Sequence, residues 1–287
     1  MIYLLLNILV STALFITFKL FDKYKVNTLQ AIVINYFVAC SYGLLISSET
    51  VNIGVIINSK WFFGAVILGG LFIVVFNIMA LTAQRNGLSV VSVASKMSVV
   101  IPVIFGIYAY HESIGFQKIL GIILALLAVF LTSTRTESKI DFKRGLLLPI
   151  ALFLGSGIID TSIKYLEDSY VSENGIPIFS ATIFLFAGCA GIVILIIQLI
   201  RNKTKLTINS IYGGLILGII NYYSMYLLLK ALQYEGLESS SIFTVNNVAI
   251  VMLTTLVGLV FFKEKLILKN WIGIAITIIS ITLVTLA

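Results

Sequence analysis

The sequence predicts an all-α membrane protein, ten transmembrane helices arranged as two inverted five-helix repeats, and three observations carry that reading. Of its 287 residues, 60% are hydrophobic and only 11% charged, at a mean hydropathy of +1.10; a soluble domain holds about 25% charged and roughly 45 to 50% apolar residues. The apolar residues gather in stretches of about 20, the length that crosses a bilayer as a helix. The second half of the chain also repeats motif spacings of the first. With almost no water-facing mass left over, backbone polar groups in the hydrocarbon must be satisfied within their own segment, which selects helices over a barrel of alternating strands.

Ten stretches follow in order, at about 2–21, 27–47, 61–84, 88–110, 115–134, 145–166, 176–200, 210–233, 238–262 and 269–287, separated by charged or Gly/Asn/Ser-containing breaks. The first begins without basic residues, lacks a small-residue cleavage site and is followed by further spans, so it reads as a retained helix rather than a signal peptide. Three prolines and no low-complexity tract leave no room for a disordered tail. Cys40 and Cys189 lie in apolar runs without C-x-x-C spacing, which supports neither a disulfide framework nor a zinc site.

Most of the basic residues behind the net charge of +7 fall on loops. Thirteen of the 19 basic residues fall on one set: Lys23, Lys25, Arg85, Arg135, Lys139, Lys143, Arg144, Arg201, Lys203, Lys205, Lys263, Lys265 and Lys269. Lys60 and Lys118 fall on the other, and Lys19, Lys96, Lys164 and Lys230 within spans. The positive-inside rule makes the odd-numbered loops cytoplasmic and puts both termini outside the plasma (inner) membrane.

Ser11-x7-Lys19 in the first stretch recurs as Ser156-x7-Lys164 in the sixth. Gly87-Leu88-Ser89, then Glu112, then Gly121 recurs as Gly236-Leu237-Glu238, then Glu264, then Gly273, with nine positions from glutamate to later glycine in both copies. These matches divide the chain into repeats 1–140 and 141–287. Five helices is an odd number, so the second copy enters the membrane upside down, the arrangement by which many secondary transporters alternate access around a midplane site.

At these residues, with Pro102 in the fourth stretch, the sequence resembles the EamA-type family of the drug/metabolite transporter superfamily over nearly its whole length. Two positions depart from the pattern: Val251 stands where the second copy would match Pro102, and the first stretch has no carboxylate. Proton coupling through the first helix, a property of small multidrug exporters in that superfamily, is therefore not carried over. The resemblance implies a multi-pass transporter moving small metabolites, often outward, with helices 1, 3, 4, 6, 8 and 9 lining a cavity and 5 and 10 peripheral.

Charge at bilayer depth costs about 2.5 to 3.5 kcal/mol, so such residues are functional candidates. Lys96 lies about eight residues into its stretch and shares a stripe with Ser89 and Ser92; it binds a carboxylate or phosphate, or it pairs within the bundle. Asp160 and Lys164, four apart with Ser156 a turn earlier, either neutralise each other or free Asp160 to exchange partners with Lys96 or carry a proton. Lys19 and Lys230 sit near helix ends and read as snorkelling.

Ser240, Thr244, Asn247 and Thr254 form a neutral stripe in the ninth stretch, suited to substrate hydrogen bonds or to interhelical adhesion. Asn221, Tyr222, Tyr223, Ser224 and Tyr226 cluster mid-span in the eighth, a wall for a ring-shaped solute or a set of buried tyrosines with carbonyl partners. Asn77 and Gln84 are weaker echoes, Asn7 and Ser11 weaker still. Gly69-Gly70, Gly213-Gly214 and Gly188-x2-Gly191 read as packing, and His111 with Glu112 as a loop or capping feature.

The expectation is a secondary transporter, operating as an exporter, for a small polar metabolite such as an amino acid or organic anion. Its site is built from Ser92, Lys96, Asp160, Asn221, Tyr222, Tyr226, Ser240, Thr244 and Asn247. The alternative is a passive channel, although the polar stripe of the fourth helix fades at Val99–Ile107. An embedded enzyme is a third class, for which the acidic cluster Glu167, Asp168 and Glu173 lacks nearby histidines; no phosphate loop, H-E-x-x-H or nucleophile elbow occurs. No cofactor and no nucleic-acid partner is expected, only substrate and lipid around a monomer or homodimer.

Overall fold

A computed structural model describes residues 2–47, 52–109, 115–133, 142–172, 175–202, 207–232 and 239–285. Among them the regular structure is helical: α1 (Ile2–Lys23), α2 (Thr28–Ile46), α3 (Ile53–Ile57), α4 (Phe62–Asn86), α5 (Leu88–Met97), α6 (Val100–Ala109), α7 (Phe116–Ser133), α8 (Phe142–Tyr170), α9 (Ile176–Asn202), α10 (Ile208–Leu232), α11 (Ser239–Val260) and α12 (Leu268–Thr285). Six of these helices, α1, α2, α4, α8, α9 and α10, contain apolar segments long enough to cross a membrane. Four shorter apolar segments, Leu88–Pro102, Ile119–Thr132, Val245–Val260 and Leu268–Leu283, complete the inventory.

The fourth stretch, expected as a single helix over 88–110, is two: α5 ends at Met97 and α6 begins at Val100. Pro102 explains the break. It has no N–H for the Ser98 carbonyl four residues earlier, and its ring crowds that carbonyl. The N–H of Ile101 reaches Ser98 O instead, at 2.9 Å, and the Ser98 hydroxyl turns back to Ser95 O at 2.5 Å. Where Val251 replaces proline in the second copy, α11 runs unbroken.

The chain forms two compact units. One comprises residues 1–19, 78–158 and 224–287, the other 20–77 and 159–223, so each draws on both sequence repeats. Lipid tails are as apolar as leucine, so helix association inside a bilayer depends on close packing and interhelical hydrogen bonds. Both are visible here.

In the first unit α7 packs against α12. Gln117 at the start of α7 donates to the carbonyl of Leu283 at the end of α12 (3.4 Å), while Asn270 at the start of α12 donates to the carbonyls of Leu131 and Thr132 at the end of α7 (3.2 and 2.9 Å). The two helices therefore run antiparallel, and Asn270 satisfies last-turn carbonyls that have no partner in their own helix. A Cβ at Gly273 would stand 2.8 Å from the Thr132 methyl, and the Ser280 hydroxyl donates to Gly121 O at 2.7 Å. The core of this unit gathers Val93, Met97, Val100, Val129, Phe153 and Ile274 among others.

In the second unit α2 packs against α9. Gly43 meets Ala181, Phe37 meets Gly188 and Val33 meets Gly191, so this pair is antiparallel too. Two flanking helices lie parallel to their neighbours: Gly214 and Gly218 of α10 abut Ile34 and Val38 of α2, and Gly69 of α4 abuts Phe186 of α9. Most of the expected packing glycines behave as such, but Gly70 has nothing within 4 Å of where its Cβ would be. Tyr36, fully buried, donates to Phe72 O at 2.8 Å amid the rings of Phe72, Phe76 and Phe184.

Candidate functional site

The first unit holds Ser92, Lys96, Tyr226, Ser240, Thr244 and Asn247; the second holds Asp160, Asn221 and Tyr222. Lys96 is not in the middle of a long helix as its stretch implied. It occupies the last turn of the ten-residue α5, half-buried, where its charge complements the negative end of the helix dipole. Ser92 is fully buried and donates back to Ser89 O at 3.1 Å. Broken helices at membrane depth are where transporters place their binding groups, because irregular backbone survives there only in a protein-lined setting.

α11 packs directly on α5. It carries Asn247, buried, and the backbone of Ser240 and Thr244, whose side chains lie outside the described residues. Thr254, the far end of the expected stripe, donates to the carbonyls of Ile250 and Val251 in its own helix. Its neighbour in chemistry is a residue the spacing overlooked. Asn246 accepts from Asn7 at 2.8 Å, both side chains 1% exposed, and Asn7 in turn accepts from Ser11 at 3.3 Å. Asn7 thus makes a buried polar contact between α1 and α11.

Lys19 is half-buried and donates to Gln84 O near the end of α4 (3.2 Å), while Gln84 donates to Phe18 O (3.3 Å). Asn77 donates to Ile73 O of its own helix at 2.7 Å. Lys230 is exposed in the last turn of α10.

In the second unit Asn221 and Tyr222 are buried on α10. The Tyr222 ring meets Tyr223 at 5.7 Å and Tyr42 of α2 at 5.8 Å, and Tyr42 meets Tyr223 at 6.0 Å, so the tyrosine wall gains a third ring from another helix. Asn35, also on α2 and fully buried, leaves its Oδ1 without a partner. Asp160 is exposed on α8, and the Lys164 side chain lies outside the described residues. An apolar crevice of about 300 Å³ between Cys40, Leu44, Ile56, Phe62, Thr182 and Phe186 carries no charge and is separate from these groups.

One further contact ties the repeat motifs together. The carboxylate of Glu264 accepts from the Leu88 N–H at 2.7 Å, the Ser89 N–H at 3.5 Å and the Ser89 hydroxyl at 3.3 Å, capping the N-terminus of α5. An anion at that position is worth on the order of 1 kcal/mol. Gly87 adopts φ +101°, and a Cβ there would stand 2.7 Å from the carboxylate.

Residues 143–286 match the sequence profile described as the EamA-like transporter family. The chain belongs to that family. EamA-like proteins are membrane transporters of the drug/metabolite transporter type, not a family of enzymes, so a multi-pass membrane protein with a transport role follows. Over 288 aligned residues the chain is 29% identical to an uncharacterized protein of Haemophilus influenzae, covering 97% of this chain and 95% of that one. A protein of known crystal structure shares the fold at a TM-score of 0.57 and 16% identity, covering 98% of this chain and 97% of the other.

For an EamA-like chain the interlock of Gly87, Leu88 and Ser89 with Glu264 gives two of the recurring motifs a physical role, in which the glycine makes room and the glutamate caps. The corresponding Glu112 and Gly236-Leu237-Glu238, and His111 beside Glu112, lie outside the described residues.

Proposed function

We propose that this EamA-like protein is a secondary transporter, working as an exporter, for a small polar metabolite that carries a carboxylate, such as an amino acid or organic anion. The observation that carries the reading is the antiparallel pairing of repeat-equivalent helices: the second with the seventh stretch (α2 and α9), and the fifth with the tenth (α7 and α12). Opposite polarity of matched helices is what a duplicated unit inserted upside down produces, and ten spans in two inverted halves are the frame in which alternating access operates.

In the first unit Lys96 supplies a positive charge, Ser92 and the polar residues of α11 supply hydrogen bonds and Tyr226 a ring; in the second, Asn221 and Tyr222 supply amide and ring surface. The protein resides in the inner membrane with both termini outside, following the bias of basic residues toward the odd-numbered loops.

The test is counterflow in proteoliposomes with a panel of radiolabelled amino acids and dicarboxylates. A transporter gives saturable uptake accelerated by unlabelled solute on the far side, whereas a channel gives linear flux without counterflow. In Lys96→Ala the KM for a carboxylate-bearing solute rises at least tenfold, the loss of about 1.4 kcal/mol or more that a charge-assisted contact supplies. An unchanged KM removes Lys96 from the site.

A further inference from the structure

The element that carries Ser92 and Lys96 is unusually dependent on its ends. α5 has ten residues, is cut from α4 by Gly87 and from α6 by Ser98 and Val99, and its N-cap residue has no side chain with which to satisfy the first-turn N–H groups. Left to local sequence, those donors would have no acceptor. The acceptor comes from 176 positions away, as the Glu264 carboxylate bound to Leu88 and Ser89.

Three features aim that carboxylate. Lys263 takes a left-handed conformation, φ +51°, which turns the chain out of α11. The Glu264 N–H then bonds the Gly258 carbonyl at 3.0 Å, folding the connection back against the end of its own helix. Finally, glycines stand on both sides of the carboxylate: a Cβ on Gly87 or on Gly258 would each come within 2.7 Å of one of its oxygens. A left-handed turn, a backbone bond and two glycines around one side chain amount to a seat built for it.

We propose that Glu264 is a positioning residue of the substrate site. Its cap fixes the N-terminus of α5 and so sets where the Lys96 ammonium stands eight residues on, about 12 Å along the helix. Glu264 does not touch the solute; it acts through α5. This rests on the reading of Lys96 as the substrate's cationic contact, and it adds a second-repeat residue that holds a first-repeat binding helix.

The experiment reads α5 without needing a solute. Wild type, Glu264→Gln and Glu264→Ala are placed in lipid nanodiscs and compared by hydrogen–deuterium exchange. In parallel, sulfo-N-hydroxysuccinimide acetate reports the reactivity of each lysine, peptide by peptide. Glutamine keeps one oxygen for the Leu88 N–H but turns an NH2 toward Ser89, whereas alanine removes both acceptors.

Exchange in the first turn of α5 is expected to rise at least tenfold in Glu264→Ala and by a smaller factor in Glu264→Gln, with α7 and α12 protected as in wild type. Acetylation of Lys96 is expected to change at least threefold relative to Lys23 and Lys60. Unchanged α5 exchange, unchanged Lys96 reactivity, or a rise spread evenly over α7, α11 and α12 in the glutamine variant each overturns the proposal. Counterflow in Lys96→Ala reads the transport site separately, so loss of that reading leaves a distinct signature from loss of this one.

Discussion

Asn7 and Asn246 are each other's partner and both are almost fully buried, which makes the pair a clean case for residue-scale energetics. Asn7→Leu leaves a buried amide unsatisfied, at a cost of about 1 to 3 kcal/mol, toward the low end because unfolded helices in lipid also find partners. The double variant Asn7→Leu/Asn246→Leu removes the orphan and is expected to recover most of the loss, as a double-mutant cycle on unfolding in mixed micelles would measure. Gly87→Ala is harsher in kind. It puts a side chain in the left-handed region and within 2.7 Å of Glu264, and is expected to cost about 1 to 3 kcal/mol, seen as a drop in the thermal unfolding midpoint. At this scale the sequence is legible in type but not in partnership. Spacing selects Asn247 because it continues a stripe of offsets 4 and 7, whereas Asn246 is chosen by a neighbour 239 positions away. The glutamate stands out as a repeated residue, but capping at long range leaves no periodic trace.

At the scale of elements, adjacent residues of one type part company. Gly69 faces the backbone of Phe186 and Ala187, with a Cβ 2.6 Å from the Phe186 Cβ, while Gly70 faces open space. Gly69→Ala is therefore expected to lower the unfolding midpoint, and Gly70→Ala to leave it level or raise it, through a gain in helix propensity of up to about 1 kcal/mol. Scanning fluorimetry on the two variants side by side distinguishes them. Pro102→Ala returns an N–H that can reach the Ser98 carbonyl and is expected to let α5 run into α6; slower amide exchange over residues 98–101 is the expected sign. Hydropathy locates both halves of that stretch, and the proline stands out as a motif residue. The break itself is invisible to hydropathy, because a mainly apolar stretch of 23 residues fills a span whether or not a helix is continuous through it.

For the molecule as a whole, apolar length is enough to expect an all-helical chain with membrane-length helices, six of which the described residues contain, while opposite polarity of the two copies is an expectation from an odd helix count. The matching of equivalent helices within each unit is beyond their reach, because it depends on glycine-lined faces that hydropathy treats as featureless. Orientation is open to direct measurement: alkaline phosphatase fused after Ala287 is expected to be active and a green fluorescent protein dark, and the reverse outcome would invert every loop assignment.

The pairing of α2 with α9 also bears on how the protein is made. Its two members are separated by 129 intervening residues, Ser47 to Gly175, so at roughly 5 to 20 residues per second the ribosome delivers the second some 6 to 26 seconds after the first. Until then α2 waits in the bilayer with its glycine-matched face uncovered, and so does α7 until α12 arrives. Assembly of both units is thus completed only late in translation.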